Sequence, residues 1–414
     1  MNNPNPPQTE KLDLLRLAVF ERNSQGYPTH YPLHFLRVLA AYWKPCLYLL
    51  KKFGWKSCVN FWFSKLFVSD EGGEYDLFAP FLRRWPLLLL KPYKIEFEHS
   101  TICDKKCLLC EHTYWQEKAG RISLGQVKGF LEPVKTIRWA NVTGEGSGLL
   151  NKDFLAVLKY LRRRGICVNF VDEFDFLDER VGREIIEMGI NSIYISFDGA
   201  TKQTYETIKK GCDFDAALKN IKTFLKLKGE ISSPFPVLHF RFVITTLNYR
   251  EMPRFVELVA SLGDRGPRAK VEFVGLLAFP GIEQYYMPID DIPRDILAAA
   301  YETALKHGIN LCMSHPSLKK PSMTDCVAWS EPYILIGGEV ISCCAIIMSN
   351  NRQFLREHSF GNVYKQPLMD IWNSEKYKTF RERVGNLCSK VPKTCHGCRA
   401  YDTQERAAQY GIED

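Results

Sequence analysis

The chain has 414 residues, is 46% hydrophobic and 13% aromatic, and carries a formal net charge of +8. That much apolar material excludes a disordered chain and leaves room for one large α/β domain with an appendage, or for two domains. So mild a basic surplus does not argue for nucleic acid, and no uncharged apolar stretch reaches the roughly 18 residues a spanning helix needs.

The first eleven residues lack a basic flank followed by an apolar core, so no signal peptide is expected. Fourteen cysteines in such a chain argue for metal or cluster ligation in a reducing compartment, against a disulfide framework. The expected location is the cytoplasm.

Residues 1–30 begin polar and proline-rich and are expected to be loosely ordered. Residues 32–69 differ sharply, with six basic residues, ten aromatics and no acid. Arg37, Lys44 and Lys51 recur every seven positions, which sets them along one helical face. Pro45 is expected to kink or divide that helix. The region reads either as a helix pair packed on the main domain with a wet basic side, or as a surface that touches a membrane or an anionic lipid substrate.

From residue 93 a regular alternation begins. Strand-like runs fall at 94–98, 137–143, 166–171, 192–197, 238–245 and 270–276. Helical patterns cover 151–164, 177–188, 214–228, 250–262 and 290–307. Six βα units in sequence predict a parallel sheet with right-handed crossovers, either open and doubly wound or a partial barrel, with function at the C-terminal strand ends. After 310 the pattern changes to a hairpin at 333–343, turning at Gly337-Gly338, and short helices over 367–385.

The chemistry-bearing residues begin directly after the first strand, with Cys103, Cys107 and Cys110. Thiolates at spacings of four and three can hold three irons of a 4Fe–4S cube and leave the fourth iron without a protein ligand, although zinc also uses such spacings. The remaining cysteines gather in the tail. Cys46, Cys58, Cys167 and Cys212 read as buried small apolar residues.

Five features in order resemble the radical S-adenosylmethionine (SAM) superfamily and its SPASM/twitch extension. They are the cysteine triplet, the Gly144-Glu-Gly146 turn, the run Ile195-Ser-Phe-Asp198-Gly-Ala200, the run Thr204-Tyr205-Glu206 and the tail cysteines. The resemblance covers about residues 90–400. It implies a partial (βα)6 TIM-like barrel at 93–310, preceded by an N-terminal helical region at 1–92. A small α+β cluster-binding extension would occupy 311–414.

It further implies that Cys103, Cys107 and Cys110 hold a reducible 4Fe–4S cluster whose open iron takes SAM, from which a 5′-deoxyadenosyl radical abstracts hydrogen from an unactivated C–H bond. Gly144 and Gly146 would let backbone approach SAM, and Ser196 and Asp198 would contact its ribose, with helix capping as the other role for Asp198. Leu109 stands where the family often has an aromatic near adenine. The usual Glu-Pro after the glycine turn is Ser147-Gly148 here, and the usual Thr-Asn-Gly after the third strand is Asp172-Glu173-Phe174. Asp172 and Glu173 are therefore candidate catalytic acids, or else a solvated loop pair.

In the tail, Cys326, Cys343, Cys395 and Cys398 fit one auxiliary 4Fe–4S cluster. Cys344 is an alternative to Cys343, because neighbouring strand positions face opposite ways. Cys312 and Cys388 are further candidate ligands, and structural zinc is the alternative occupant. The implied enzyme is an oxidoreductase, or one that forms C–C or C–X bonds, and it acts on a small molecule, a peptide or a lipid. Its electron donor would be a flavodoxin or ferredoxin. A cluster- or zinc-binding protein without radical chemistry stays open as the reading of another class.

Overall fold

A computed structural model describes residues 31–67, 91–263, 270–314, 326, 331–386, 388–398 and 403–413. The expected loose order of 1–30 lies outside these residues. So does the neighbourhood of Cys326, and the side chain of Arg37 is not described either.

Seven parallel strands, β1 (Lys94–Glu98), β2 (Trp139–Thr143), β3 (Cys167–Asp172), β4 (Ser192–Ser196), β5 (Val237–Ile244), β6 (Lys270–Gly275) and β7 (Asn310–Ser314), lie side by side in chain order. A doubly wound sheet would reverse its order at a switch point, and this one does not. Successive right-handed crossovers then place the crossover helices on one face and curve the sheet into a partial barrel. The crossover helices are α3 (Phe154–Arg163), α4 (Glu179–Met188), α6 (Phe214–Glu230), α7 (Met252–Ser261) and α8 (Arg294–His307); α1 (Tyr31–Phe67) and α2 (Leu124–Leu131) come before them and α5 (Lys202–Ile208) between α4 and α6.

Strand β7 lies beyond the six units expected from sequence. It runs on from α8 and pairs with β6 from Lys270↔Asn310 to Val274↔Ser314. On the other edge, β8 (Tyr333–Ile334) pairs parallel with β1, and β9 (Glu339–Ile341) and β10 (Gly361–Asn362) follow antiparallel. The hairpin turns at Gly337-Gly338 as expected, and Gly338 has φ +88°. The tail adds α9 (Arg352–Glu357), α10 (Leu368–Trp372), α11 (Glu375–Gly385) and α12 (Gln404–Tyr410).

Strand alternation sorts the side chains. Ile95 and Phe97, Ala140 and Val142, Val168 and Phe170, Ile193 and Ile195, and Phe240 and Phe242 join the helices in one buried core. The alternate positions face the concave side and are largely polar: Glu96, Asn141, Asn169, Tyr194, Arg241 and Glu272. There Arg241 pairs with Glu272 at 3.0 Å and stacks over Tyr194 at 4.5 Å.

The N-terminal helix packs beneath this barrel. Tyr42, Leu49 and Phe61 form a second core with Trp139, Cys167 and Phe235, at or just before the first residues of β2, β3 and β5. Asn60 Nδ2 donates to the Gly165 carbonyl at 2.8 Å. Two expectations are corrected here. The helix continues through Pro45 and breaks at Gly54 (φ 79°), where only glycine turns without strain. Folding back at Gly54 brings Cys46 and Cys58 to a Cα separation of 5.2 Å, and they form a disulfide. Among the described residues no helix is long and apolar enough to cross a membrane.

Candidate functional site

The loop after β1 carries the cysteine triplet at the C-terminal end of the barrel. Backbone bonds fasten it: Lys106 N–H donates to the Lys210 carbonyl at 2.9 Å, Leu108 N–H to Ile208 at 2.7 Å, and Ser147 N–H to Ile102 at 2.9 Å. Gly144 and Gly146 sit where the turn after β2 crosses this loop. A Cβ on Gly144 would lie 2.5 Å from the Ser100 carbonyl oxygen, and one on Gly146 would lie 2.6 Å from both Ile102 N and O. The close approach that needs glycine here is therefore to the cysteine loop itself.

The three thiols are half-buried and differently placed. Cys103 Sγ accepts from Lys105 N–H at 3.4 Å. Cys110 Sγ meets Glu145 Oε2 at 3.5 Å, and burial followed by that carboxylate pushes its thiol well up. Cys107 accepts from the Cys212 thiol, which outweighs burial and, with the Lys209 ammonium, brings its own thiol down to about 7. Cys212 is thus buried as expected, and it also touches the site.

Lys209 is the residue that sequence reasoning missed. It is buried, donates to Ser196 Oγ at 2.7 Å and pairs with Asp198 Oδ2 at 3.5 Å. Burial alone would lower its ammonium, but Asp198 and Cys107 hold it well above the usual lysine range. Its only sequence signal was its place just after the Thr204-Tyr205-Glu206 run, at the C-cap of α5. Asp198 does not cap that helix: its Oδ1 accepts from Val243 N–H at 2.8 Å, while Thr201 caps α5. Ser196 and Asp198 are brought together through one cation.

Of the two acids after β3, Asp172 is withdrawn from water and Glu173 is half-buried. Asp172 is 3% exposed and accepts from Phe174 N–H at 2.7 Å. Burial, and then the neighbouring Glu173, raises its carboxyl well above the ordinary range. Burial also raises Glu173, opposed by Lys209. Phe174 adopts φ +66°, the backbone cost of this sharp exit from β3. Leu109 packs with Leu276, Phe279 and Ile282 from the segment after β6, together with Met348 of the tail.

In the tail, Cys343 lies within electrostatic reach of Cys326, Cys344, Cys395 and Cys398, and Cys395 within reach of Cys326 and Cys398. Cys395 and Cys398 are buried, while Cys344 is exposed. Cys388 is exposed and sits beside Tyr410, whereas Cys312 is buried on β7. The tail is bound to the barrel through a buried ion pair. Arg352 on α9 makes a two-pronged contact with Glu98, the last residue of β1, and stacks over Trp115 at 4.1 Å.

The donor sets suit iron–sulfur clusters, since soft thiolates on a glycine-fastened loop and four gathered thiols in a tail are what such clusters use. Beside the glycine turn, the Thr143 hydroxyl is buried without a partner among the described residues, a polar atom ready for a bound group. Among the described residues no three ligating side chains are already closed to metal-binding geometry.

The sequence profile of the Radical SAM superfamily matches residues 97–259, and that of SPASM, an iron–sulfur cluster-binding domain, matches 326–399. The chain belongs to the radical SAM superfamily and carries a SPASM extension. Its cofactors are accordingly SAM and 4Fe–4S clusters, and when bound they supply the hydrogen-atom abstraction general to the superfamily. This radical SAM chain is 24% identical over 320 residues to a tungsten-containing aldehyde ferredoxin oxidoreductase cofactor-modifying protein of Pyrococcus furiosus, covering 74% of this chain and 86% of that one. It is 21% identical over 174 residues to the mycofactocin maturase MftC of Mycobacterium tuberculosis, covering 42% and 43%. Its fold resembles that of Streptococcus suis SuiB, solved with its precursor peptide SuiA (TM-score 0.58, 14% identity, 80% and 76% covered). The enzyme anSMEcpe, solved with AdoMet and a peptide, is a further fold relative (TM-score 0.53, 15% identity, 78% and 91% covered).

Proposed function

We propose that this radical SAM enzyme is an oxidoreductase acting on a C–H bond of a polar substrate, a peptide first among the candidates. The observation that carries this is the polar concave face of the barrel. Glu96, Asn141, Asn169, Tyr194 and Glu272 are buried there and Arg241 pairs with Glu272, so the interior below the cysteine loop is lined by polar and ion-paired groups, and an alkyl chain would find no continuous apolar wall to lie against. Two proteins of similar fold that are solved with a peptide bound, SuiB and anSMEcpe, support the same reading.

Cys103, Cys107 and Cys110 would hold the SAM-binding cluster, and Gly144 and Gly146 allow the turn above it to close. Ser196 and Asp198, oriented by Lys209, would face the ribose of SAM. Asp172 and Glu173 are kept protonated more readily than ordinary acids by burial, so either can give or take a proton near the substrate. Cys326, Cys343, Cys395 and Cys398 would hold an auxiliary cluster, which supplies an electron acceptor and so suits net oxidation; the exposure of Cys344 favours Cys343. The domain limits 93–310 and 311–414 belong to this reading, with β7 extending the barrel to residue 314. A flavodoxin or ferredoxin would deliver the reducing electron. Peripheral contact with a membrane through 32–69 is part of it too.

The test is transfer of deuterium into 5′-deoxyadenosine from perdeuterated peptides, polar small molecules and fatty acyl chains, each given to the reduced enzyme with SAM. Uptake from the acyl chains alone would overturn the polar-substrate reading. Absence of SAM cleavage under every condition would favour the non-catalytic alternative.

A further inference from the structure

We infer that the N-terminal helix hairpin is an anchor for anionic bilayers that holds the enzyme with its active mouth turned away from the lipid. The inference rests on the membrane contact proposed above and adds its residues and its geometry. The two arms of α1 each have an inner and an outer face. Tyr42, Cys46 and Leu49 point inward at helical spacing, as do Ser57, Asn60 and Phe61 on the second arm. The outer positions are Trp43, Leu47 and Leu50 on the first arm, and Trp55 and Val59 on the second. All five are exposed, with Trp43 at 50% and Trp55 at 64%.

Three of these outer apolar residues are followed directly by an exposed lysine: Trp43-Lys44, Leu50-Lys51 and Trp55-Lys56. Lys52 is exposed as well, and no acidic residue occurs anywhere from 31 to 67. Tryptophan beside lysine on a helix surface suits the headgroup boundary, where the ring enters and the ammonium meets anionic phosphate. The rim of the adjoining groove adds Lys159 and Arg163 from α3, with Glu184 and Glu187 of α4 beyond Phe53. The hairpin itself is thus the basic surface, and it complements an anionic bilayer.

The orientation follows from where the inner face packs. It meets Trp139 and Cys167, the first residues of β2 and β3, while Phe53 lies against Gly189 just before β4. Those are the N-terminal strand ends, and the cysteine loop lies at the opposite ends. Strands of five to eight residues rise about 3.3 Å per residue, so the mouth stands roughly 16–26 Å from the anchored side. A lipid approached through this hairpin would not reach the site, which removes the support it lent to a lipid substrate.

The reconstituted holoenzyme is floated with vesicles of phosphatidylglycerol and phosphatidylcholine, and with phosphatidylcholine alone, at low and high salt. Each lysine near the surface is worth about fivefold in partitioning, so Lys44→Gln, Lys51→Gln and Lys52→Gln together should weaken binding about a hundredfold. Trp43→Ser with Trp55→Ser should also release it, with iron content and far-UV circular dichroism unchanged in both variants. Hydrogen exchange on vesicles should show new protection over 43–59 and none over 103–115.

No binding by the intact enzyme overturns the anchor, as does binding that both variants retain. Protection at 103–115 leaves a membrane contact but overturns the orientation. A dimer in lipid-free solution that the tryptophan variant dissolves would assign the face to a second copy and overturn the inference. None of these outcomes touches deuterium transfer, so the polar-substrate reading stands or falls separately.

Discussion

Replacing Arg352 by methionine should be among the most damaging single changes outside the cysteines. Glu98 is 0% exposed and receives both guanidinium prongs of Arg352 and the Ile336 N–H, the last at 2.8 Å. The variant leaves a buried carboxylate with one neutral donor, and breaking a buried pair in this way costs about 3–5 kcal/mol. Arg352→Met with Glu98→Leu removes the stranded charge and leaves mainly the Ile336 N–H unpaired, a cost of about 1–3 kcal/mol. The double variant should therefore be more stable than the Arg352 single variant. The assay is anaerobic urea unfolding of the reconstituted protein followed by far-UV circular dichroism, run as a double-mutant cycle. A single variant within about 1 kcal/mol of the parent, or a double variant no better than the single one, would refute the claim that this ion pair joins the tail to β1.

Four further outcomes are expected. Anaerobic reconstitution should load about eight irons per chain, and about four after Cys103, Cys107 and Cys110 are all changed to alanine; zinc in the tail with only four irons would contradict the auxiliary cluster. Cys107→Ala should abolish production of 5′-deoxyadenosine, whereas Cys395→Ala should retain it without substrate and stop product formation. Gly146→Ala should lower iron loading of the triplet, because its Cβ would sit 2.6 Å from the Ile102 backbone; full loading would show that the loop can shift freely. Burial lowers His99 from 6.5 to about 3, so the folded state resists a proton that the unfolded chain accepts. Stability should then be full above pH 6.5 and fall as pH drops below it, by about 1.4 kcal/mol at pH 5.5, and His99→Phe should flatten that slope.

The chain by itself determined the alternation of strands and helices, because each strand reads as a short β-rich run and each helix as a wider apolar period. Local chemistry also made the cysteine triplet, the Gly144–Gly146 turn and the hairpin at Gly337-Gly338 legible. Residues whose roles depend on distant partners were not. Lys209 reads as one lysine among many until packing buries it between Ser196, Asp198 and Cys107. Asp172 and Glu173 read equally as solvent acids, and only the assembled barrel buries Asp172 and half-buries Glu173. Strand β7 was hidden because its worth lies in pairing with β6, not in its own five residues. Cys46 and Cys58 stand twelve residues apart, and the fold-back at Gly54 alone made them neighbours. Spacing encodes what neighbours in the chain can do together, whereas burial and charge partnership belong to the assembled barrel, where groups distant in sequence share one low-dielectric interior.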